Sequence, residues 1–208
     1  MKGIIITGGR APVVGRLRQV AGIDDVYVVA ADSGYDTAIT LGIQPDLVIG
    51  DFDSISCPVP GHIPTHSYPS DKDHTDTQLA VEKLREAGCS FDYLLGGGEG
   101  RLDHLYAILE LYATDYFPDI WITEREMIYA VLPGMQRECL TSPQQTVSLI
   151  NPCPQSCQVS TRGLQWELEQ YDLSFGSASI SNRTSGRGFS VRNTGETVII
   201  AAVLFAQD

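Results

Sequence analysis

The chain has 208 residues, 43% apolar and 19% charged, a globular composition with room for one large or two modest domains that excludes a disordered tail. Its 14 Lys and Arg against 26 Asp and Glu leave a net charge of −12. That excludes non-specific binding to nucleic acid, which needs a basic face, but not nucleotide binding, because a divalent cation can stand between carboxylates and phosphates.

After Met1-Lys2 the apolar stretch runs only from Gly3 to Ile6, too short for a leader. The longest apolar run, Val198 to Ala206, falls well below the roughly 20 residues of a membrane helix. A soluble cytoplasmic protein is expected. The five cysteines, at 57, 89, 139, 153 and 157, are odd in number and irregular in spacing, so no disulfide framework is expected. Cys153-Pro-Gln-Ser-Cys157 has the look of half a zinc site, but no second Cys or His pair lies close in sequence. Reduced thiols are the simpler expectation.

In chain order, Gly3 to Thr7 is a short apolar run ended by Gly8-Gly9, and Val13 to Val20 can be helical. Val26 to Ala31 is continuously apolar, as a strand buried on both faces requires. A helix is expected from about Tyr35 to Leu41, stopped by Gly42, then a strand from Leu47 to Ile49 closed by Gly50. Thr75 is placed to cap a helix through Ala87 that Gly88 ends. Tyr93 to Leu95 predicts a strand, Leu102 to Tyr112 a helix and Asp119 to Thr123 another strand. This alternation predicts an α/β domain: a mostly parallel sheet with flanking helices.

Past Arg125 the helical periodicity fades. Short β-rich runs follow at Met127–Leu132, Gln145–Ile150, Gln158–Thr161, Leu164–Leu168, Ala178–Ser181, Phe189–Arg192 and Thr197–Phe205. They predict a C-terminal antiparallel sandwich or barrel, and therefore two domains, 1–125 and 126–208.

Four segments carry chemistry. Gly50-Asp51-Phe52-Asp53-Ser54 follows a buried strand, at the end where open parallel sheets bind ligands. With a period of two, Asp51 and Asp53 point one way and Phe52 the other, and paired carboxylates suit Mg²⁺. Asp-rich segments are also ordinary turns. Asp71-Lys72-Asp73-His74-Thr75-Asp76 precedes a helix; such acids often serve only as caps, but three in six residues repel one another unless a cation is near. Gly96-Gly97-Gly98-Glu99-Gly100-Arg101 runs from strand into helix and offers backbone N–H groups to an anion. It lacks the Gly-Lys-Ser/Thr of a Walker A loop and is equally a bare glycine-rich turn. Arg101 opposes the dipole of the following helix unless an anion is close, whereas Asp103 suits that position. Asp32-Ser33-Gly34 closes a further strand.

Together these residues resemble the thiamine pyrophosphokinase family. The likeness runs through Ala31–Gly34, Gly42–Ser54, Lys72–Asp76, Gly96–Gly98 and Gly100–His104, and continues at Gly163–Trp166, Ser181-Asn182 and Thr194–Glu196. One departure is Ser33, where the family usually has glycine. The resemblance implies transfer of a diphosphate group from ATP to the hydroxyl of thiamine, with Mg²⁺, release of AMP, and a homodimer with composite sites. It implies Asp51, Asp53 and Asp76 as metal ligands, with Asp103 and Asp32 lining the catalytic site. Gly98, Gly100, Arg101, Lys72 and Gln78 become candidate nucleotide contacts. Ser181 and Asn182 match the thiamine-pocket motif, and Trp166 is placed to stack on a thiamine ring, a cationic heteroaromatic against an indole face. A core strand position is the competing reading of Trp166. Two other functions compete: a Mg²⁺-dependent phosphohydrolase using water, and a non-catalytic nucleotide or thiamine sensor.

Overall fold

The structure is a computed structural model describing residues 1–10, 12, 17, 26–69, 71 and 73–205. The helix expected over Val13 to Val20 falls, Leu17 apart, outside the described residues, as does Lys72. The chain divides into two compact units, Met1–Leu111 with Tyr116–Glu124, and Tyr112–Asp115 with Arg125–Asp208.

The first unit is built on β1 (Lys2–Ile6), β2 (Val26–Ala31), β3 (Leu47–Gly50), β4 (Thr65–Ser67), β5 (Ser90–Leu95) and β6 (Ile120–Ile122). They lie side by side in the order β6-β5-β1-β2-β3-β4, and every pair is parallel. The middle strands are nearly continuous buried runs, as parallel strands covered on both faces must be. Helices α1 (Gly34–Leu41), α2 (Asp76–Glu86) and α3 (Leu102–Leu111) complete the α/β unit. From β1 the chain moves outward through β2, β3 and β4, then returns to pair β5 on the other side of β1. The strand order therefore reverses between β1 and β5, which opens a crevice beyond their C-terminal ends.

Helix α2 begins as its sequence predicts. Gln78 N donates to Thr75 Oγ1 at 3.2 Å, while Thr75 N donates to Gln78 Oε1 at 2.9 Å, a reciprocal capping box. Lys83 and Arg85 in the last turn complement the helix dipole.

The second unit contains β7 (Glu126–Val131), β8 (Gln136–Leu140), β9 (Thr146–Ile150), β10 (Cys157–Arg162), β11 (Tyr171–Leu173), β12 (Ser179–Arg183), β13 (Gly188–Asn193) and β14 (Ile199–Leu204). Two antiparallel four-strand layers, β12-β9-β14-β7 and β11-β10-β13-β8, enclose one core. Val147, Leu149 and Ile199 from one layer meet Val159, Phe189 and Val191 from the other, so the unit is a sandwich.

Sequence patterning missed β4, β8 and β11. Strands β4 and β8 are short and mostly exposed, and β11 has three residues, so none carries an apolar period. The strand expected at Leu164–Leu168 is instead a loop. Leu164 is buried and Leu168 packs against the sandwich core, but Gly163 is left-handed at φ 86° and only an isolated bridge joins Leu164 to Thr184. Two apolar anchors four residues apart had the texture of a strand.

Candidate active site

The crevice of the parallel sheet is a pocket of about 350 Å³. Its wall is made by Thr7-Gly8-Gly9 after β1, Ala31-Asp32-Ser33 after β2, Thr75-Asp76-Thr77 at the start of α2, and Gly97 with Glu99 to Arg101 after β5. His104, Ala107 and Ile108 of α3 close it. Polar loops at adjacent strand ends and two helix N-termini offer N–H donors to a phosphate-bearing ligand.

Close packing explains the glycines. A Cβ at Gly34 would lie 2.0 Å from Ile6 O, one at Gly97 2.4 Å from Ile108 Cδ1, and one at Gly98 2.3 Å from Thr123 Cβ. Gly98 itself does not line the pocket; Gly97 and Gly100 do. The loop is held from below by Trp121, whose Nε1 donates to Gly96 O at 2.7 Å, and by Gly97 N donating to Gly8 O at 2.8 Å. Gly8-Gly9, expected only to end a strand, also lines the pocket. The signal for more was present: a glycine pair leaving the central strand of a parallel sheet.

Asp32, Asp51 and Asp53 form a carboxylate cluster, with one oxygen from each lying within 4.8 Å of the others. Asp51 and Asp53 do not alternate along a strand. β3 ends at Gly50, and Phe52 is left-handed at φ 64°, so a turn and not strand pleating brings the two acids together. Phe52 packs against the cluster of Ala30, Tyr35, Val48 and Ile63, on the opposite side as expected. Asp32 is also left-handed, at φ 49°, and a Cβ at Gly50 would meet its Cα and Cβ at 3.2 Å. Such backbone conformations in non-glycine residues concentrate at functional sites.

Ser54 Oγ donates to Asp32 Oδ2, while Asp32 Oδ1 is buried without a hydrogen-bond partner. An orphaned buried carboxylate oxygen beside two further carboxylates is the donor set of a hard divalent cation. The Asp53 carboxyl is held above its ordinary range, first by the charge of Asp51, then by desolvation, with Asp32 and Asp76 adding to the effect. Of the acids expected to hold a metal, Asp51 and Asp53 cluster with Asp32, while Asp76 lines the pocket and acts on Asp53 through its charge.

Gln78, Arg101 and Asp103 have partners within the fold. Gln78 spends its side-chain oxygen on the α2 cap and does not line the pocket. Arg101 lines the pocket, but Asp103 supplies the anion its position calls for: Nη2 to Oδ2 is 2.5 Å and Nε to Oδ1 is 3.1 Å. This pairing, by hydrogen bond first, holds the Asp103 carboxyl below its usual range. At the rim, Arg10 bridges Glu99 at 3.2 Å and Glu124 at 3.4 Å.

In the sandwich unit Trp166 is 56% exposed, which rules out the core reading of this residue. Ser181 is exposed and left-handed at φ 60°, at an irregularity of β12, and its N–H donates to Ser148 Oγ at 3.2 Å. Asn182 is buried at 4% exposure. Among the described residues Cys153 and Cys157 belong to no cluster of metal-ligating side chains, and Cys157 Sγ donates to Asn193 Oδ1 at 2.8 Å. Among the described residues the aspartate cluster is the one group suited to a metal.

Residues 23–123 match the family model of the thiamin pyrophosphokinase catalytic domain, and residues 137–196 match that of the thiamin pyrophosphokinase vitamin B1 binding domain. This chain belongs to the thiamin pyrophosphokinase family. It is therefore an enzyme, a thiamine diphosphokinase of an ATP-dependent family. The fold agrees. The thiamin pyrophosphokinase structure from Bacillus subtilis superposes with a TM-score of 0.79 at 19% identity, covering 100% of both chains. That from Geobacillus thermodenitrificans gives 0.75 at 23% identity, covering 100% of this chain and 99% of the other. The yeast thiamin pyrophosphokinase gives 0.69 at 16%, covering 98% and 86%. Among the described residues no helix is long and apolar enough to cross a membrane.

Proposed function

We propose that the pocket of the parallel sheet binds ATP with Mg²⁺ and delivers its diphosphate to thiamine. The Asp32–Asp51–Asp53 cluster, with its orphaned Asp32 oxygen beside a glycine-lined pocket, carries this reading. Asp32, Asp51 and Asp53 would hold the cation, with Asp76 as a further acid on the pocket side. When bound, it would neutralise charge on the diphosphate oxygens.

The rest falls to the chain's own residues. The N–H of Gly100, the start of α2 and the Arg101 guanidinium hold phosphate oxygens, while Gly97, whose own N–H is spent on Gly8 O, lets the ligand approach the backbone closely. Gly98 keeps the loop against Thr123, and Gln78 keeps Thr75 in place. The thiamine hydroxyl oxygen bonds to the β-phosphorus. The bond from that phosphorus to the α–β bridging oxygen breaks, and AMP leaves with the oxygen. One of the aspartates takes the hydroxyl proton. Positioning and charge neutralisation supply most of the acceleration, as in phosphoryl transfer generally.

Trp166 stacks on a thiamine ring, with Ser181 beside it. The family resemblance supports a homodimer in which one subunit's sandwich completes its partner's site. The free cysteines, four of them buried, support a reducing cytoplasm.

A turnover assay with ATP, Mg²⁺ and thiamine, following AMP and thiamine diphosphate together, tests the reaction. Equal amounts of both, and no AMP without thiamine, are expected. AMP or phosphate release that ignores thiamine makes the protein a phosphohydrolase, and binding without turnover makes it a sensor. Mixing Asp51→Asn chains with Trp166→Ala chains, at thiamine too dilute for the Trp166→Ala protein to turn over, tests the dimer: exchange of subunits should restore activity, and none after proven exchange means each chain builds its own site.

A further inference from the structure

The loop from 163 to 170 presents Trp166 outward, yet its backbone is tied down on every side. Asn182 is the centre of that anchorage. Its Nδ2 donates to Trp166 O at 2.6 Å, and its Oδ1 accepts from Trp166 N at 3.2 Å and Arg183 N at 2.8 Å. One side chain thus grips both peptide groups of a single exposed residue. Around it, Gln165 N donates to Arg183 O at 2.8 Å, and Thr161 exchanges two bonds with Leu168, by its N–H at 2.9 Å and from Leu168 N to its Oγ1 at 2.8 Å. Gly163 N donates to Glu167 Oε1 at 3.0 Å, and Arg162 pairs with Glu167 and Glu169.

An exposed indole on a mobile loop would lose freedom on binding a ligand, and that entropy would subtract from affinity; a loop already anchored loses less. We propose that Asn182 is a positioning residue that sets Trp166 for thiamine and does not itself touch the substrate. Both lone pairs of its oxygen and one amide hydrogen are engaged with backbone, and the residue is 4% exposed, so it has little surface to offer a ligand. This rests on the thiamine-facing role of Trp166 given above, and it departs from a direct thiamine contact by Asn182.

A double-mutant cycle decides between the two, with kcat and both KM values measured by AMP release and folding followed by thermal melting. Trp166→Ala should raise the thiamine KM roughly ten- to thirtyfold, the worth of a desolvated cation–π contact. Asn182→Ala should raise it by a similar factor while the ATP KM stays within about twofold. In the Trp166→Ala background, Asn182→Ala should add little. Losses that multiply would overturn the proposal, because Asn182 would then act on thiamine independently. If Asn182→Ala does not fold, Asn182→Ser serves, since its short hydroxyl introduces no buried charge and cannot span to both Trp166 peptide groups. An unchanged thiamine KM in Trp166→Ala overturns both the role of Trp166 and this inference, whereas thiamine-dependent AMP release by the wild type judges the reaction separately.

Discussion

Asp51→Asn separates the chemistry of the carboxylate cluster from its cost to the fold. The substitution is isosteric and keeps the oxygen that accepts from Asp53 N at 3.3 Å. It removes one negative charge from three whose oxygens lie within 4.8 Å of one another. Two unit charges at that separation repel by about 0.9 kcal/mol in bulk water and about 3.5 kcal/mol at an effective dielectric constant near 20. Asp32 and Asp51 are both half-buried, so relief of about 1–2 kcal/mol is expected from that pair without metal. For a chain of this size that raises the melting temperature by about 2–8 °C. Turnover should fall at least a hundredfold, about 3 kcal/mol of transition-state stabilisation. Melting curves in EDTA and in Mg²⁺, beside the AMP assay, test both arms. Wild type should be stabilised by Mg²⁺ and Asp51→Asn far less. The pH dependence has a definite sign. Because the Asp53 carboxyl is raised in the fold, the repulsion is absent below its unfolded value and sets in as pH rises through the raised one. The metal-free protein therefore loses stability across that interval, and Asp51→Asn should flatten the loss. An Asp51→Asn chain that melts no higher in EDTA, gains the full Mg²⁺ shift and turns over normally would refute the cluster as a metal site.

Other positions give independent checks. Arg101→Ala should raise the KM for ATP more than that for thiamine and leave the melting temperature nearly unchanged, since its pair with Asp103 is exposed; equal effects on both substrates would reduce the pair to a surface feature. Gly98→Ala should destabilise by about 1–3 kcal/mol, because its Cβ would meet Thr123 Cβ at 2.3 Å, and Thr123→Gly should recover part of that loss in thermal melts; a normal melt with a raised ATP KM would instead place Gly98 against the phosphates. Thiol titration of the native chain should modify Cys57 alone, with Cys57→Ser abolishing it, because the other four are buried and burial pushes Cys139 up to about 12.

What the residues determined by themselves is mostly local. The apolar runs at Ile4–Ile6, Val28–Ala31 and Val48–Ile49 become central parallel strands because burial on both faces leaves no polar position to alternate. Thr75 and Gln78 start α2 through bonds three residues apart, which is why the cap was legible while its consequence for Gln78 was not. The acids at 32, 51, 53 and 76 raise the expectation of a cation site through their charge and their place at strand ends or a helix start. Which of them meet was decided only by tertiary structure. β2 and β3 are neighbours in the sheet, so Asp32 arrives beside Asp51 and Asp53 from another strand, and a left-handed Phe52 turns the latter two together. The same holds for Asn182: its three bonds run to backbone groups at positions 166 and 183, and no spacing in the sequence encodes that an amide sixteen residues downstream closes on a tryptophan's peptide groups. Capping and burial act over a few residues and leave a pattern, whereas contacts between strand ends and loops depend on strand order and register, which chain folding sets.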